Sequence, residues 1–282
     1  MRRYPLNRRA ATALLLWPTV ALRAGAAANV EVEIARLTQA VAGSHRSEAN
    51  RARDAARHPM ETLSFFGLAP GHNVVEIAPG GGWYTEILAP YLREQGRLYA
   101  AADARNAASE GARRSRARFE EKLSRSPALY DRVSLGDLPS SNAGFTDIAP
   151  AGSADLVLTF RNVHNWIEAG NLDTMLQAFH AVLKPGGVLG VEEHRAPPGT
   201  SMERIIATGY VPEELVIARA RDAGLELAGR SEINANPRDT KDHANGVWSL
   251  PPTLRGGQAD RAKYLAIGES DRMTLKFLKS TR

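Results

Sequence analysis

The stretch VVEIAPGGGWYTEIL, residues 74–88, is an apolar run that meets three consecutive glycines and then resumes with helical spacing. Glycine permits positive φ and lets a ligand lie against main chain where a Cβ would otherwise stand. A strand that ends in so much bare backbone and passes directly into a helix is the place where an open parallel sheet receives its ligand. The stretch therefore predicts a strand over 72–78, a ligand-facing turn over 78–82 and a helix over 83–92.

The same alternation continues outward. Strands are predicted over GRLYAAAD (96–103), DRVSLGD (131–137), ADLVLTF (154–160) and VLGVEEH (188–194). A charged, exposed helix is expected over 108–123. A second covers 171–183, with Leu172, Met175, Leu176, Phe179, Val182 and Leu183 on one face. KPGG (184–187) stops that second helix. Residues 212–233 read as helix, glycine stop and strand, and 271–279 as a terminal strand. Alternating strands and helices imply parallel pairing through right-handed crossovers, with helices on both faces. The expected fold is α/β, Rossmann-like and doubly wound, a mostly parallel seven-stranded sheet with an antiparallel C-terminal strand in a single domain. Residues 29–59 form an alanine- and arginine-rich helical cover that breaks before Pro59. Residues 234–268, rich in Pro, Gly, Asp and Asn, form an irregular insert of the kind that is functional or disordered.

Residues 1–28 read as an export signal. MRRYPLNRR is a positive segment, Ala10–Leu22 an apolar run, and Ala24-Gly25-Ala26 and Ala26-Ala27-Ala28 are small-residue cleavage sequences. The run is too short for a membrane span, and Arg8-Arg9 before it points to twin-arginine export and a periplasmic location; a leader that is not used reads instead as a cytoplasmic tail. Cysteine is absent, which suits an oxidising compartment. The formal charge is +5, and Arg2, Arg3, Arg8, Arg9 and Arg23 account for all of it, so the domain itself is neutral. A neutral domain does not favour a nucleic-acid partner.

The glycine turn departs from the dinucleotide fingerprint, because Ala78 replaces a glycine and Thr85 stands three residues after Gly82. No Gly-Lys-Ser/Thr follows, which excludes a phosphate-binding Walker loop. Carboxylates sharpen the reading. Glu76 lies within the first strand, Asp103 ends the second, 21 residues after Gly82, and Asp137 ends the third. A carboxylate at the second position accepts both ribose hydroxyls. Acids around the turn suit a cationic nucleoside rather than a phosphate.

Taken in order, VVEIAPGGGWYTEIL, GRLYAAAD, LGDLP, ADLVLTFRNVHNWI and VLKPGGVLGVEEH resemble the class I S-adenosylmethionine-dependent methyltransferases over Met60–His194. RNV followed by a helix and a Pro-Gly-Gly turn is similar to the quinone-biosynthesis C-methyltransferases within that class. The remaining chain, including NANPRDTKDHANGVWSLPP and GESDRMTLKF, resembles a group of often exported bacterial methyltransferase-like proteins. The resemblance implies S-adenosyl-L-methionine as cofactor. Glu76, Ala78, Pro79, Gly80, Gly81 and Gly82, with Tyr84 beside them, match the motif that holds its amino-acid end. Asp103 matches the ribose-binding acid, and Asp137 the position beside the adenine. Arg161 and Asn162 match the positions that line the methyl-donor centre.

Methyl transfer is an in-line displacement, so alignment carries most of it, and a base is needed only where the acceptor loses a proton. His164 and His194, just beyond strand ends on the ligand side, are candidates for that base; each is equally readable as a hydrogen-bonded structural histidine. Glu192, Glu193 and His194 with Asp239, Asp242 and His243 lack a fixed metal-binding spacing, and no metal is expected. Trp83, Tyr84 and Trp166 read as acceptor-pocket walls or as core aromatics. Arg57 and His58 are placed to cover the cofactor, and Trp248 with Pro251-Pro252 to form a lid. The expected acceptor is a small or lipophilic molecule, and the oligomeric state is left open. A non-catalytic ligand-binding protein on the same fold is the alternative, because the methyl donor is made in the cytosol while the leader points outside.

Overall fold

The computed structural model describes residues 19–139 and 147–281. Its sheet has eight strands: β1 (Asn73–Ile77), β2 (Arg97–Ala102), β3 (Val133–Asp137), β4 (Ala154–Phe160), β5 (Leu183–Ala196), β6 (Val211–Pro212), β7 (Leu225–Ser231) and β8 (Arg272–Lys279). Their order is β3-β2-β1-β4-β5-β8-β7, with β6 paired to the far end of β5. Only β8 runs antiparallel to its neighbours, β5 and β7. The eighth strand is the two-residue β6, which forms because β5 runs on past His194 and its Arg195 and Ala196 pair with Val211 and Pro212. Chain order reverses between β1 and β4, so the crevice above their carboxyl ends is the ligand position of this topology.

Both faces of the sheet are buried, which is why its central strands read as apolar runs rather than alternating ones. Val74, Leu98, Leu156 and Leu158 face one core, with α4 (Pro59–Phe66), α5 (Thr85–Leu92) and α6 (Glu110–Arg125). Val75, Ile77, Val157, Leu189 and Val191 face the other, with α8 (Val163–Glu168), α9 (Leu172–Val182) and α11 (Glu213–Asp222). The expected stop at KPGG holds for α9, which ends at Val182. The motif itself is taken into β5, and a register irregularity opposite Ala154 and Leu156 absorbs it. Gly186 supplies the positive φ.

The cover begins with α1 (Thr19–Ala42), whose backbone runs through the small residues 24–28, and continues with α2 (Glu48–Arg51) and α3 (Asp54–Arg57). Residues 1–18 of the expected leader lie outside the described residues. No helix among the described residues is long and apolar enough to cross a membrane. The insert 234–268 is less irregular than expected. It holds a 3-10 turn (Gly246–Ser249) and a helix (Arg261–Ile267). Asp239 fastens it: its carboxylate accepts from the Tyr210 hydroxyl at 2.9 Å and from the backbone N–H groups of Lys241 and Asp271, and His243 Nε2 bonds to it at 2.9 Å. Asp239 and His243, weighed above as remote metal ligands, are thus partners of each other and of the scaffold.

Candidate functional site

The turn after β1 follows the strand into left-handed backbone: Ala78 has φ 49°, Gly80 φ 56° and Gly82 φ 74°. A Cβ at Gly80 or Gly81 would have no heavy atom within 4 Å, whereas one at Gly82 would meet Phe119 and Lys122 of α6 at 3.1–3.2 Å. Gly82 therefore packs the turn against α6, and Gly80 and Gly81 keep open space clear. Lys122 holds the turn from below, donating to Gly81 O at 2.9 Å and to Glu86 at 2.6 Å.

Two hollows meet at this turn. One, of about 400 Å³, is lined by Ala78, Pro79, Gly80, Asp103, Asn162 and Trp166, among others. Asp103 is half-buried and its pKa is raised, by burial first, against the opposing Ser115 hydrogen bond and Arg116 charge. The other hollow, of about 330 Å³, shares Ala78, Pro79, Gly80 and Asn162, and adds Glu76, Gly81, Tyr84 and Arg161. Asn162 joins the strand ends by donating to Ile77 O at 3.2 Å and to Thr159 Oγ1 at 3.1 Å. Arg161 is turned into the crevice on a left-handed backbone, φ 59°.

Glu76 is tied to the first residue of α5. It is buried, and its carboxylate accepts from the Thr85 hydroxyl at 2.6 Å. Burial pushes its pKa up to about 7, against the Thr85 bond and the Lys122 charge. Asp137 ends β3, as expected. Its Oδ1 is taken by Arg116 at 2.5 Å, and it is not among the residues lining either hollow. Arg116, buried on α6, also donates to the carbonyls of Asp103 and Gly136, and so ties the ends of β2 and β3 together.

The charge of the second hollow is also unlike the expected ring of acids. Arg53 and Arg57 line it from the helical cover, and Arg161 from just after β4. Glu269, 216 residues beyond Arg53, gathers them: Arg53 Nη2 at 2.7 Å, Arg57 Nε at 3.2 Å, Arg161 Nη1 at 3.5 Å and Arg272 Nη1 at 2.7 Å. Burial pushes Glu269 upward, but these four guanidiniums outweigh it and hold the pKa at about 2. Arg57 is depressed to about 9, by burial first and then by Arg161. Arg53 and Arg57 share one helical face at i,i+4, a signal legible in RARDAAR; Glu269 has no local signal.

Arg57 lines the second hollow, as do Asn50, Trp83 and, from the insert, Pro252, while His58 lines neither. Trp83 lies between the guanidiniums of Arg46 and Arg57, 4.9 and 4.7 Å from its ring centroid, and its indole N–H donates to Asn50 O at 3.0 Å. Trp83→Phe is expected to cost about 1–2 kcal/mol of stability, from the lost hydrogen bond and weaker cation–π contacts. Urea unfolding at neutral pH checks it; an unchanged midpoint would mean that the cover does not depend on this clamp.

His164 and His194 stand together, ring centroids 5.2 Å apart, and neither lines the two hollows. Fully buried Glu193 organises them. It accepts the backbone N–H groups of Val163, His164 and His194, and bonds His164 Nδ1 at 2.9 Å. His194 Nδ1 meets Ser270 Oγ at 2.5 Å. Burial, then His164 and the nearby arginines, depress His194 well below the ordinary histidine range. One potential ligand atom from each of His164, Glu193 and His194 fits within 4.8 Å. The four N–H groups already on Glu193 make the trio an oriented histidine pair rather than three free ligands. Glu192 is likewise engaged, with Tyr84 Oη at 3.2 Å and Arg272 Nε at 3.1 Å.

Comparison with solved structures decides the fold. An Aquifex aeolicus SAM-dependent methyltransferase aligns at TM-score 0.53 and 17% identity, covering 81% of this chain and 93% of that one. The chain has a class I methyltransferase fold. A putative sarcosine dimethylglycine methyltransferase from Galdieria sulphuraria shares this methyltransferase fold at TM-score 0.52 and 15% identity, over 82% of this chain and 85% of that one. The [4+2]-cyclase SpnF aligns at 0.57 and 17%, over 90% and 96%. A fold that also carries a cyclase leaves activity to be argued from the site. No family model and no curated protein matches the sequence.

Proposed function

We propose that the protein is an S-adenosylmethionine-dependent methyltransferase acting on a small or lipophilic acceptor. One observation carries the reading: Asp103 and Gly80 line a single hollow, which joins at Ala78–Gly80 a second hollow at the end of β4. Asp103 is placed for ribose hydroxyls, and the bare backbone of Gly80 and Gly81 for the chain between ribose and amino acid. Arg53 and Arg57 suit the amino-acid carboxylate. The bound cofactor supplies an electrophilic methyl group. The residues around it supply alignment, with Asn162 fixing the β1 and β4 ends together and Tyr84 stacked on Phe160, centroids 3.5 Å apart. His164 and His194 line neither hollow, so an acceptor that loses a proton is assigned no histidine base from this pair.

Calorimetric titration with S-adenosylhomocysteine tests the reading. Wild type is expected to bind, and Asp103→Asn to bind about tenfold more weakly, the amide being a poorer acceptor than a carboxylate. Absence of binding by the wild type removes the proposal. The arginine-lined hollow favours one second reading, a non-catalytic protein that holds an anionic ligand on this fold. Mass spectrometry of molecules retained on the natively purified protein separates the two: an adenosine derivative supports the enzyme, another anion the binding protein. We also propose export, supported by the Arg8-Arg9 leader and its apolar run. The same experiment reads the N-terminus; an uncleaved cytosolic chain removes that proposal.

A further inference from the structure

The cation cluster at the second hollow is larger than the cofactor accounts for. Four guanidiniums, Arg53, Arg57, Arg161 and Arg272, face two paired acids, Glu192 and Glu269, leaving a surplus of two positive charges. Glu76 also lines the hollow, and counting it as fully ionised still leaves one. The cofactor cannot remove this surplus. Its carboxylate and ammonium cancel, and its sulfonium adds a further positive charge.

The surplus has a place to act. Arg53 makes two contacts with one Glu269 oxygen, at 2.7 and 2.8 Å, and Arg272 is shared by both acids and a backbone carbonyl. Arg161 makes one long contact, 3.5 Å, and its side chain is 21% exposed on the hollow's wall. A guanidinium has five N–H donors in a planar fork that matches carboxylate and phosphate oxygens, and most of those on Arg161 are unused. Trp83, Tyr84 and Phe160 line the same hollow and suit an apolar body.

We propose that the acceptor is an anion, bearing a carboxylate or phosphate that pairs with Arg161 in the hollow beside the glycine turn. This rests on the methyltransferase reading, since it names the second occupant of that site. Such an occupant offsets the arginine surplus and the sulfonium; transfer breaks the S–CH3 bond, leaves a neutral thioether and so removes one positive charge from the site.

The test uses the full chain saturated with S-adenosylhomocysteine and titrated with benzoate, phenyl phosphate and benzamide. Benzoate or phenyl phosphate is expected to bind at least about tenfold more tightly than benzamide, a charge-assisted pairing that the neutral probe lacks; the tighter of the two identifies the anion type. Arg161→Gln is expected to bring all three within about twofold, and Arg161→Lys to retain about a threefold preference, since it keeps charge without the fork. Equal affinities in the wild type, or a preference unchanged by Arg161→Gln, overturn the proposal. Failure of S-adenosylhomocysteine to bind overturns the parent reading and the acceptor assignment together; an anion preference measured without it then supports the binding protein.

Discussion

Gly80→Leu is expected to fold and to lose S-adenosylhomocysteine binding by more than about 100-fold. The position has φ 56° and lines both hollows, and nothing stands within 4 Å of where a Cβ would sit. The new Cβ therefore meets no clash. The folded state bears the left-handed backbone penalty of an L-residue, about 1–2 kcal/mol. A ligand lying on that backbone meets a side chain in its own volume, and a displacement of even part of an ångström forfeits both the main-chain contacts and the Asp103 pairing. Circular dichroism establishes folding, and calorimetry reads affinity. Binding within threefold of wild type would place the ligand somewhere other than this turn.

Glu76→Gln is expected to remove a pH dependence of stability worth about 3 kcal/mol. Burial raises Glu76 from 4.5 to about 7. A carboxyl whose folded pKa lies above its unfolded one favours the folded state fully below pH 4.5, and that contribution is lost as pH rises through 7. Each pKa unit is about 1.4 kcal/mol. Glutamine is neutral throughout, and its amide carbonyl still accepts from the Thr85 hydroxyl. The variant and wild type should match in urea near pH 4.5, and the variant should be the more stable by up to about 3 kcal/mol at pH 8.5. Parallel stability curves across that range would show that Glu76 titrates normally, and hence that solvent reaches it.

Much of the frame was legible in the chain because it rests on local rules. Periodicity marked β1 to β5, α9 and the terminal strand; the glycine turn and Asp103 were singled out by their positions at strand ends, Arg161 and Asn162 only by the family resemblance. What escaped lay in long-range pairing. β6 is two residues long and exists only because β5 extends far enough to pair with it. Asp137 stood at the expected strand end, but Arg116, reaching over from α6, took its carboxylate. His164 and His194 were read as alternatives, and the fold made them neighbours over one buried glutamate.

By itself, then, the sequence determined the order of elements, the parallel winding and the bare turn at the switch point, because hydrophobic period and backbone freedom are properties of adjacent residues. Tertiary structure decided the electrostatics. Acids in or at the ends of three strands suggested a negative crevice, yet arginines from the cover and from just after β4 converge on Glu269 and make half of it positive. Charge in a cavity is a sum over side chains brought together from distant parts of the chain, and burial sets how strongly each is felt.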